Sequence, residues 1–224
     1  MEPTGREHVT FPPTAPLVPS RLGSGVLLYE GNCGEILPML SGVDLVITDP
    51  PWHLHKYTKE LDVQGAIGDE NEASWFKILW TWNASWLPLV ARAGAVRGWY
   101  FIGWYQMAPF LRIATVIGLP VQHIFPKVGE EWLVYIAPEP LSAIPFLAVQ
   151  DCYSAMPYTN RKPDALLQEL IASSPRPHDA VILDPFAGEG STLVAAHLMH
   201  CRAIGIEMKP EYCAMIRAKL AATS

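Results

Sequence analysis

Two short stretches of this chain carry residue types and spacings that could do chemistry. The first is Asp49-Pro50-Pro51-Trp52, which follows the apolar run of residues 44–48. A run of that length reads as a buried strand, and two prolines cannot extend a sheet ladder, so the backbone must stiffen into a turn just past the strand end. That turn would hold a carboxylate (Asp49), a backbone carbonyl (Pro50) and a flat ring (Trp52) together. Held that way, the three groups would stand at the mouth of a possible site. The same four residues also suit a strand running into a plain Pro-rich turn, and on their own they do not decide.

The second stretch is Asp184-Pro185-Phe186-Ala187-Gly188-Glu189-Gly190-Ser191-Thr192. It joins the apolar run 180–184 to a helical segment through a glycine-rich turn. Glycines let a ligand approach the backbone, and helix-terminal N–H groups receive negative charge. No Lys follows the second glycine, so this is not a P-loop, and the full GxGxxG fingerprint is absent. The next apolar run, 203–207, ends in Glu207, where nucleotide-binding sheets place an acid for ribose hydroxyls. Strand, glycine turn, helix, strand and acid together point to an adenosine-bearing ligand.

The elements that must position these stretches alternate along the chain. Strands are expected at 26–29, 44–48, 96–102, 121–125, 131–137, 180–184 and 203–207. Helices are expected at 73–91, 106–117, 163–172, 191–199 and 210–220, the last opening on Pro210 where a helix start accepts it. Residues 121–125 and 131–137 are expected to pair as a hairpin across 127–130. The alternation predicts an α/β fold with a seven-stranded, mostly parallel sheet, one antiparallel hairpin strand and helices on both faces. Residues 1–22, rich in proline, read as an extended or disordered tail, and 23–224 as a single domain. Four tryptophans on the helix at 73–91, Trp75, Trp80, Trp82 and Trp86, belong to the core in preference to a base-stacking surface. Residues 53–71 read as a polar loop that could close over a site, with His53 and His55 part of that loop before they are bases.

Composition narrows the function classes. Half of the residues are hydrophobic, which excludes a disordered chain, and no run is long and apolar enough to span a bilayer. There is no secretion-signal pattern at the N-terminus. Cys33, Cys152, Cys201 and Cys213 lack metal-ligand spacing, so no metal is expected, and a reducing cytoplasm fits. The net charge of −6 means that grip on a nucleic acid must come from a local cluster or a partner. Lys56, Lys59, Arg161, Lys162 and Arg176 are the basic positions available near the two stretches.

Taken together, Asp49-Pro50-Pro51-Trp52 and the downstream Asp184-Pro185-Phe186-Ala187-Gly188-Glu189-Gly190 resemble the amino-group DNA methyltransferases that use S-adenosylmethionine. Their order is similar to the permuted beta class, in which DPP[YFW] precedes FxGxG. Gly31-Asn32-Cys33 resembles that class's Gly-Asp-Cys, Lys127 with Glu131-Trp132-Leu133-Val134 its middle hairpin, and Arg161-Lys162-Pro163 its Thr-Gln-Lys-Pro. The resemblance spans about 26–220 and implies a Rossmann-like methyltransferase fold acting on the exocyclic amine of adenine in DNA, in a bacterial or phage-encoded setting. RNA remains an alternative substrate, and a catalytically silent subunit of a methyltransferase complex an alternative role.

The resemblance implies that Asp49, Pro50, Pro51 and Trp52 serve the target amine. Phe186, Gly188 and Gly190 would line the cofactor, Glu207 would take its ribose, and Asp184 and Thr192 would orient the turn or the methionine end. Lys162 would reach the methionine carboxylate, Asp49 would border the cofactor, and Asn32 would face its adenine where the class carries an acid. The departures are Asn32, Asn160-Arg161 in place of Thr-Gln, Glu189 where Ser is frequent, and the insert at 138–157, which is very short for a target-recognition region. The Trp-rich helix at 73–91 would suit a homodimer, and an accessory subunit would supply nucleic-acid contacts that an acidic chain lacks.

Overall fold

The computed structural model describes residues 19–22, 25–51, 72–126, 131–142, 149, 162–175 and 177–223, with the backbone alone for 72–79 and 126. Among the described residues eight strands form one sheet: β1 (Ser20–Leu22), β2 (Val26–Glu30), β3 (Leu45–Thr48), β4 (Gly98–Gly103), β5 (Val121–Pro126), β6 (Glu131–Ile136), β7 (Val181–Asp184) and β8 (Arg202–Glu207). Their order across the sheet is β1-β2-β8-β7-β3-β4-β6-β5. The α-helices among the described residues are α1 (Cys33–Ile36), α2 (Glu72–Arg92), α3 (Trp104–Val116), α4 (Asp164–Ala172), α5 (Ser191–Leu198) and α6 (Pro210–Ala222).

The expected count of seven strands is corrected to eight. The additional strand, β1, lies at the end of the segment read as a tail, where Ser20–Leu22 pairs antiparallel with Val26–Leu28 of β2. Three residues of alternating burial carry too little pattern to be read as a strand from sequence; pairing to an existing edge supplies the order. With β6 running antiparallel to both β4 and β5, two strands rather than one oppose the main direction. The five central strands β2, β8, β7, β3 and β4 are parallel, as the strand–helix alternation predicts.

Both faces of the sheet are covered, and the strands split their side chains between them. Leu45 and Ile47 of β3, with Trp99 and Phe101 of β4, join the cluster formed with α4, α5 and α6. Val46, Tyr100 and Ile102 point the other way, into the cluster that holds Trp86 and Leu87 of α2 and Phe110 and Ile113 of α3. That explains why β3 and β4 read as continuous apolar runs instead of alternating ones. Trp86 is fully buried against Tyr100, Phe110 and Phe186, so it serves the core as expected.

From β3 the chain crosses by α2 to β4 on one side; from β7 it crosses by α5 to β8 on the other. The neighbours β3 and β7 are therefore where the connections diverge, and a crevice opens outside their carboxyl ends. Asp49 and Asp184, at the ends of those two strands, flank that crevice. Among the described residues no helix is long and apolar enough to cross a membrane.

Candidate active site

Thr48 is the last residue of β3 and Asp184 the last of β7, and the Thr48 hydroxyl donates to Asp184 Oδ1 at 2.8 Å across 136 positions of sequence. This bond ties the two stretches singled out above. Asp184 is buried, and it also accepts from the Phe186 amide at 3.1 Å and from the Thr192 hydroxyl. Burial pushes its pKa up to about 6, against the opposing pull of those three donors, with the Asp49 charge adding to the rise. Asp184 is thus the buried brace of the turn, and Thr192 is one of its partners.

The glycine turn is held by main-chain bonds. Ala187 N donates to Ile206 O at 2.9 Å and Gly190 N to Ala187 O at 2.7 Å. Gly190, at φ +83°, starts α5 without a side-chain cap, and a Cβ there would lie 2.6 Å from Ile216 of α6, so only glycine fits. Gly188, at φ +51°, differs: a Cβ on it would meet nothing nearer than Phe186 O at 3.9 Å. Open space over its backbone is what a cofactor lying on the turn requires. Glu189, the departure from Ser, is turned to α6, where Lys219 contacts its carboxylate at 3.1 Å and its carbonyl at 2.9 Å.

Glu207 closes β8 beside this turn. Its Oε2 accepts from Gly188 N and its Oε1 from Lys209 N, each at 2.8 Å. Burial raises its pKa, while these amides and the nearby Lys209 charge work against the rise. Oxygens fixed by main-chain amides retain lone pairs for a vicinal diol. Gly31 N donates to Glu207 O at 2.9 Å, so Asn32 stands next to this corner; its Oδ1 caps α1 by accepting from Gly34 N at 2.8 Å. The Phe186 ring packs edge-on to Trp86 at 5.2 Å and near Trp82 at 5.7 Å, fixed by the core of α2.

On the β3 side the arrangement rests on charges. Lys162, just before α4, places its Nζ 2.8 Å from Asp49 Oδ2 and 2.6 Å from Glu131 Oε2, and 4.7 Å from the centre of the Phe101 ring. Burial alone would depress the Lys162 pKa; the Asp49 and Glu131 carboxylates outweigh it and raise it, so the ammonium is retained. The Asp49 side chain is 29% exposed and that of Glu131 9%, so the charges run from a buried end to an open one. Gln106 of α3, fully buried, donates from Nε2 to Pro51 O at 2.9 Å and pins the stiff turn from behind.

The structure therefore brings Asn32, Asp49, Pro50, Pro51, Lys162, Asp184, Phe186, Gly188, Gly190, Thr192 and Glu207 to the carboxyl end of one sheet. Trp52, His53, His55, Lys56, Lys59, Arg161 and Arg176 lie outside the described residues, as does most of the insert at 138–157. Thr48, Gln106 and Glu131 are supports that sequence reasoning did not assign. Glu131 opens a strand whose other positions are apolar or aromatic, and an acid there is the one local signal that was available.

A family model described as DNA methylase matches residues 132–218. A protein of Escherichia coli (strain K12) named as a methylase, YubD, is 31% identical over 86% of this chain and 89% of its own length. The chain belongs to the DNA methylase family. Solved structures agree on the fold. A protein of Thermus thermophilus described as a DNA modification methylase, complexed with S-adenosyl-L-methionine, superposes with a TM-score of 0.59 at 20% identity over 87% of this chain and 93% of that one. The PvuII DNA methyltransferase, described as cytosine-N4-specific, gives 0.63 at 17% identity over 89% and 90%.

Proposed function

We propose that this DNA methylase transfers a methyl group from S-adenosyl-L-methionine to the exocyclic amine of adenine, by direct in-line attack of the amine. The observation that carries the reading is the junction of the two half-sites at the β3–β7 neighbours. There the Thr48–Asp184 bond sets the Asp49-Pro50-Pro51 turn beside the turn built from Asp184, Gly188 and Gly190. The residues present suit the cofactor. Glu207 offers two oxygens to a ribose, Gly188 leaves room over the backbone, and the core-braced Phe186 ring offers an apolar wall. Asn32 borders the same corner and would meet the adenine. When bound, S-adenosyl-L-methionine supplies an electrophilic methyl on its sulfonium.

The adenine amine is a poor nucleophile because its lone pair is delocalised into the ring. Asp49 and the Pro50 carbonyl accept its two hydrogens, which draws the nitrogen toward tetrahedral geometry and aims the lone pair. Asp49 is paired with Lys162, so it is a well-held acceptor. That suits a reaction in which the amine becomes acidic only as the new N–C bond forms; the proton then leaves toward Asp49. Lys162 serves Asp49 here, which favours this role over contact with the methionine carboxylate. Pro51 is held for this task by Gln106, and Trp52 would stack on the extrahelical base.

An acid ahead of Pro-Pro supports adenine over cytosine, since the cytosine enzymes this class resembles more often carry Ser there. The fold does not discriminate, because a cytosine-N4-specific enzyme shares it. The test is to incubate the protein with labelled cofactor and duplex DNA, single-stranded DNA or RNA, and to resolve the product nucleosides. N6-methyladenine from DNA is expected; N4-methylcytosine, or label in RNA alone, overturns the assignment. We further propose that the chain from β1 onward, residues 20–224, acts as one domain with the short insert at 138–157.

A further inference from the structure

An acidic chain must find its grip on nucleic acid somewhere other than in a broad basic face. Phosphate contacts supply most non-specific affinity, and a net charge of −6 works against them. Base stacking is the other large contribution, and it needs only an exposed ring, because every base has a π face. Most large aromatic side chains among the described residues are spent in the core: Trp86, Trp99, Tyr100, Phe101, Phe110 and Phe125 are all fully buried.

Trp104 and Tyr105 are different. They are 53% and 44% exposed, adjacent in sequence, and their ring centroids lie 3.8 Å apart. The other exposed large apolar side chains among the described residues, such as Val96, Val116 and Leu198, are aliphatic or thioether groups. The pair opens α3 directly after Gly103, the last residue of β4, and Gly103 pairs in register with Glu131. The next residue, Gln106, is the one whose amide holds Pro51. The two rings therefore stand on the rim between the two supports of the Asp49 turn, at the end of the sheet where the site opens. A core helix has no reason to begin with two exposed rings beside the supports of Asp49, whereas a nucleic-acid substrate of that carboxylate has a use for them.

We infer that Trp104 and Tyr105 form a stacking step for the DNA substrate, on which a base neighbouring the target adenine packs when that adenine leaves the duplex. The inference rests on the proposed reaction at Asp49 and adds a second contact to it. The target base itself is assigned to the Asp49–Trp52 turn; the step takes its neighbour and so offsets the stacking lost on extrusion. Tying this rim to Pro51 through Gln106 makes the step rigid relative to the attacking amine.

The experiment compares wild type with Trp104→Ala, Tyr105→Ala and the double variant, and with the ring-conserving Trp104→Phe and Tyr105→Phe. Methylation is measured on duplexes in which the target adenine faces thymine or an abasic site. The alanine variants should lose about 5- to 150-fold in kcat/KM per stacked base, mostly through KM. Cofactor affinity and melting temperature should be unchanged, and the Phe variants should keep most of the activity. The loss should shrink opposite the abasic site, where extrusion is easier. Unaltered kinetics in the double variant would overturn the inference while leaving the reaction at Asp49 intact. So would a loss accompanied by conversion of a dimer to a monomer, which would make the rings an interface between copies, or a loss seen on RNA and not on DNA. If the wild type methylates neither duplex, the proposed reaction fails and the inference falls with it.

Discussion

The two halves of the site are built from different materials. The β7–β8 half is made of backbone: glycines at positive φ, amides donating to Glu207, and a buried Asp184 that braces its own turn. The β3–β4–β6 half is made of charged and amide side chains brought together from remote places: Asp49, Lys162, Glu131 and Gln106. A backbone cradle suits a ligand that is the same in every turnover. A chain of side-chain charges suits a reacting amine, where the work is to hold an acceptor and stabilise a charge that appears only in the transition state. The comparison predicts that lesions in the first half act on stability and cofactor affinity, and lesions in the second on rate.

The largest effect should follow Asp49→Ala. Methyl transfer should fall by at least about a thousand-fold, since both orientation and the proton's destination are lost. Cofactor affinity, measured by calorimetry, should stay within about twofold. Parallel loss of both would erase the distinction between the halves.

Next come the glycines, as a matched pair. Gly190→Ala must place a Cβ 2.6 Å from Ile216 at a left-handed backbone, and should destabilise by about 2–4 kcal/mol in a denaturant melt. Gly188→Ala has room for its Cβ and meets only the backbone penalty of about 1–2 kcal/mol, yet it fills the space over the turn and should weaken cofactor binding. Equal stability losses at both would contradict the packing described.

A smaller effect is expected on the other side from Glu131→Gln. Lys162 keeps Asp49 but loses its buried anchor. The rate should drop about 10- to 100-fold from misplacement of Asp49, with cofactor affinity unchanged. A drop in affinity and not in rate would move Lys162 to the cofactor side.

The smallest is a pH effect. Asp184 has a folded-state pKa of about 6, above its unfolded value near 3.8. The native state therefore holds the proton more tightly, and the stability it confers is present below about pH 4 and is lost as pH rises through about 6. Asp184→Asn should flatten that part of the wild-type profile of melting temperature against pH. Identical slopes in the two proteins would remove Asp184 from its buried place.

How much of this was legible in the sequence follows from the same division. The backbone half is contiguous: Asp184 to Thr192 lie in one run and Glu207 closes the next strand, so local rules of turn, glycine and helix start were enough. The end of β3 just before Asp49 was legible as well, and most element boundaries fell within a few residues. The supports of Asp49 were not. Lys162 lies 113 residues from Asp49 and 31 from Glu131, and no local pattern links three charges that only the sheet order makes neighbours. β1 was missed for the related reason that a three-residue strand exists only through its partner. The exposure of Trp104 and Tyr105 was also hidden, because the helix was expected to begin at 106 and residue type alone does not tell which surface a ring faces.

The division between the halves can be tested in one assay: single-turnover transfer from labelled S-adenosyl-L-methionine to duplex DNA, at a series of cofactor concentrations, for Asp49→Ala and Glu207→Ala side by side. Asp49→Ala should lower the saturated rate and leave the half-saturating cofactor concentration unchanged. Glu207→Ala should raise that concentration and leave most of the saturated rate. If the two variants shift the same parameter, the site is not divided as described.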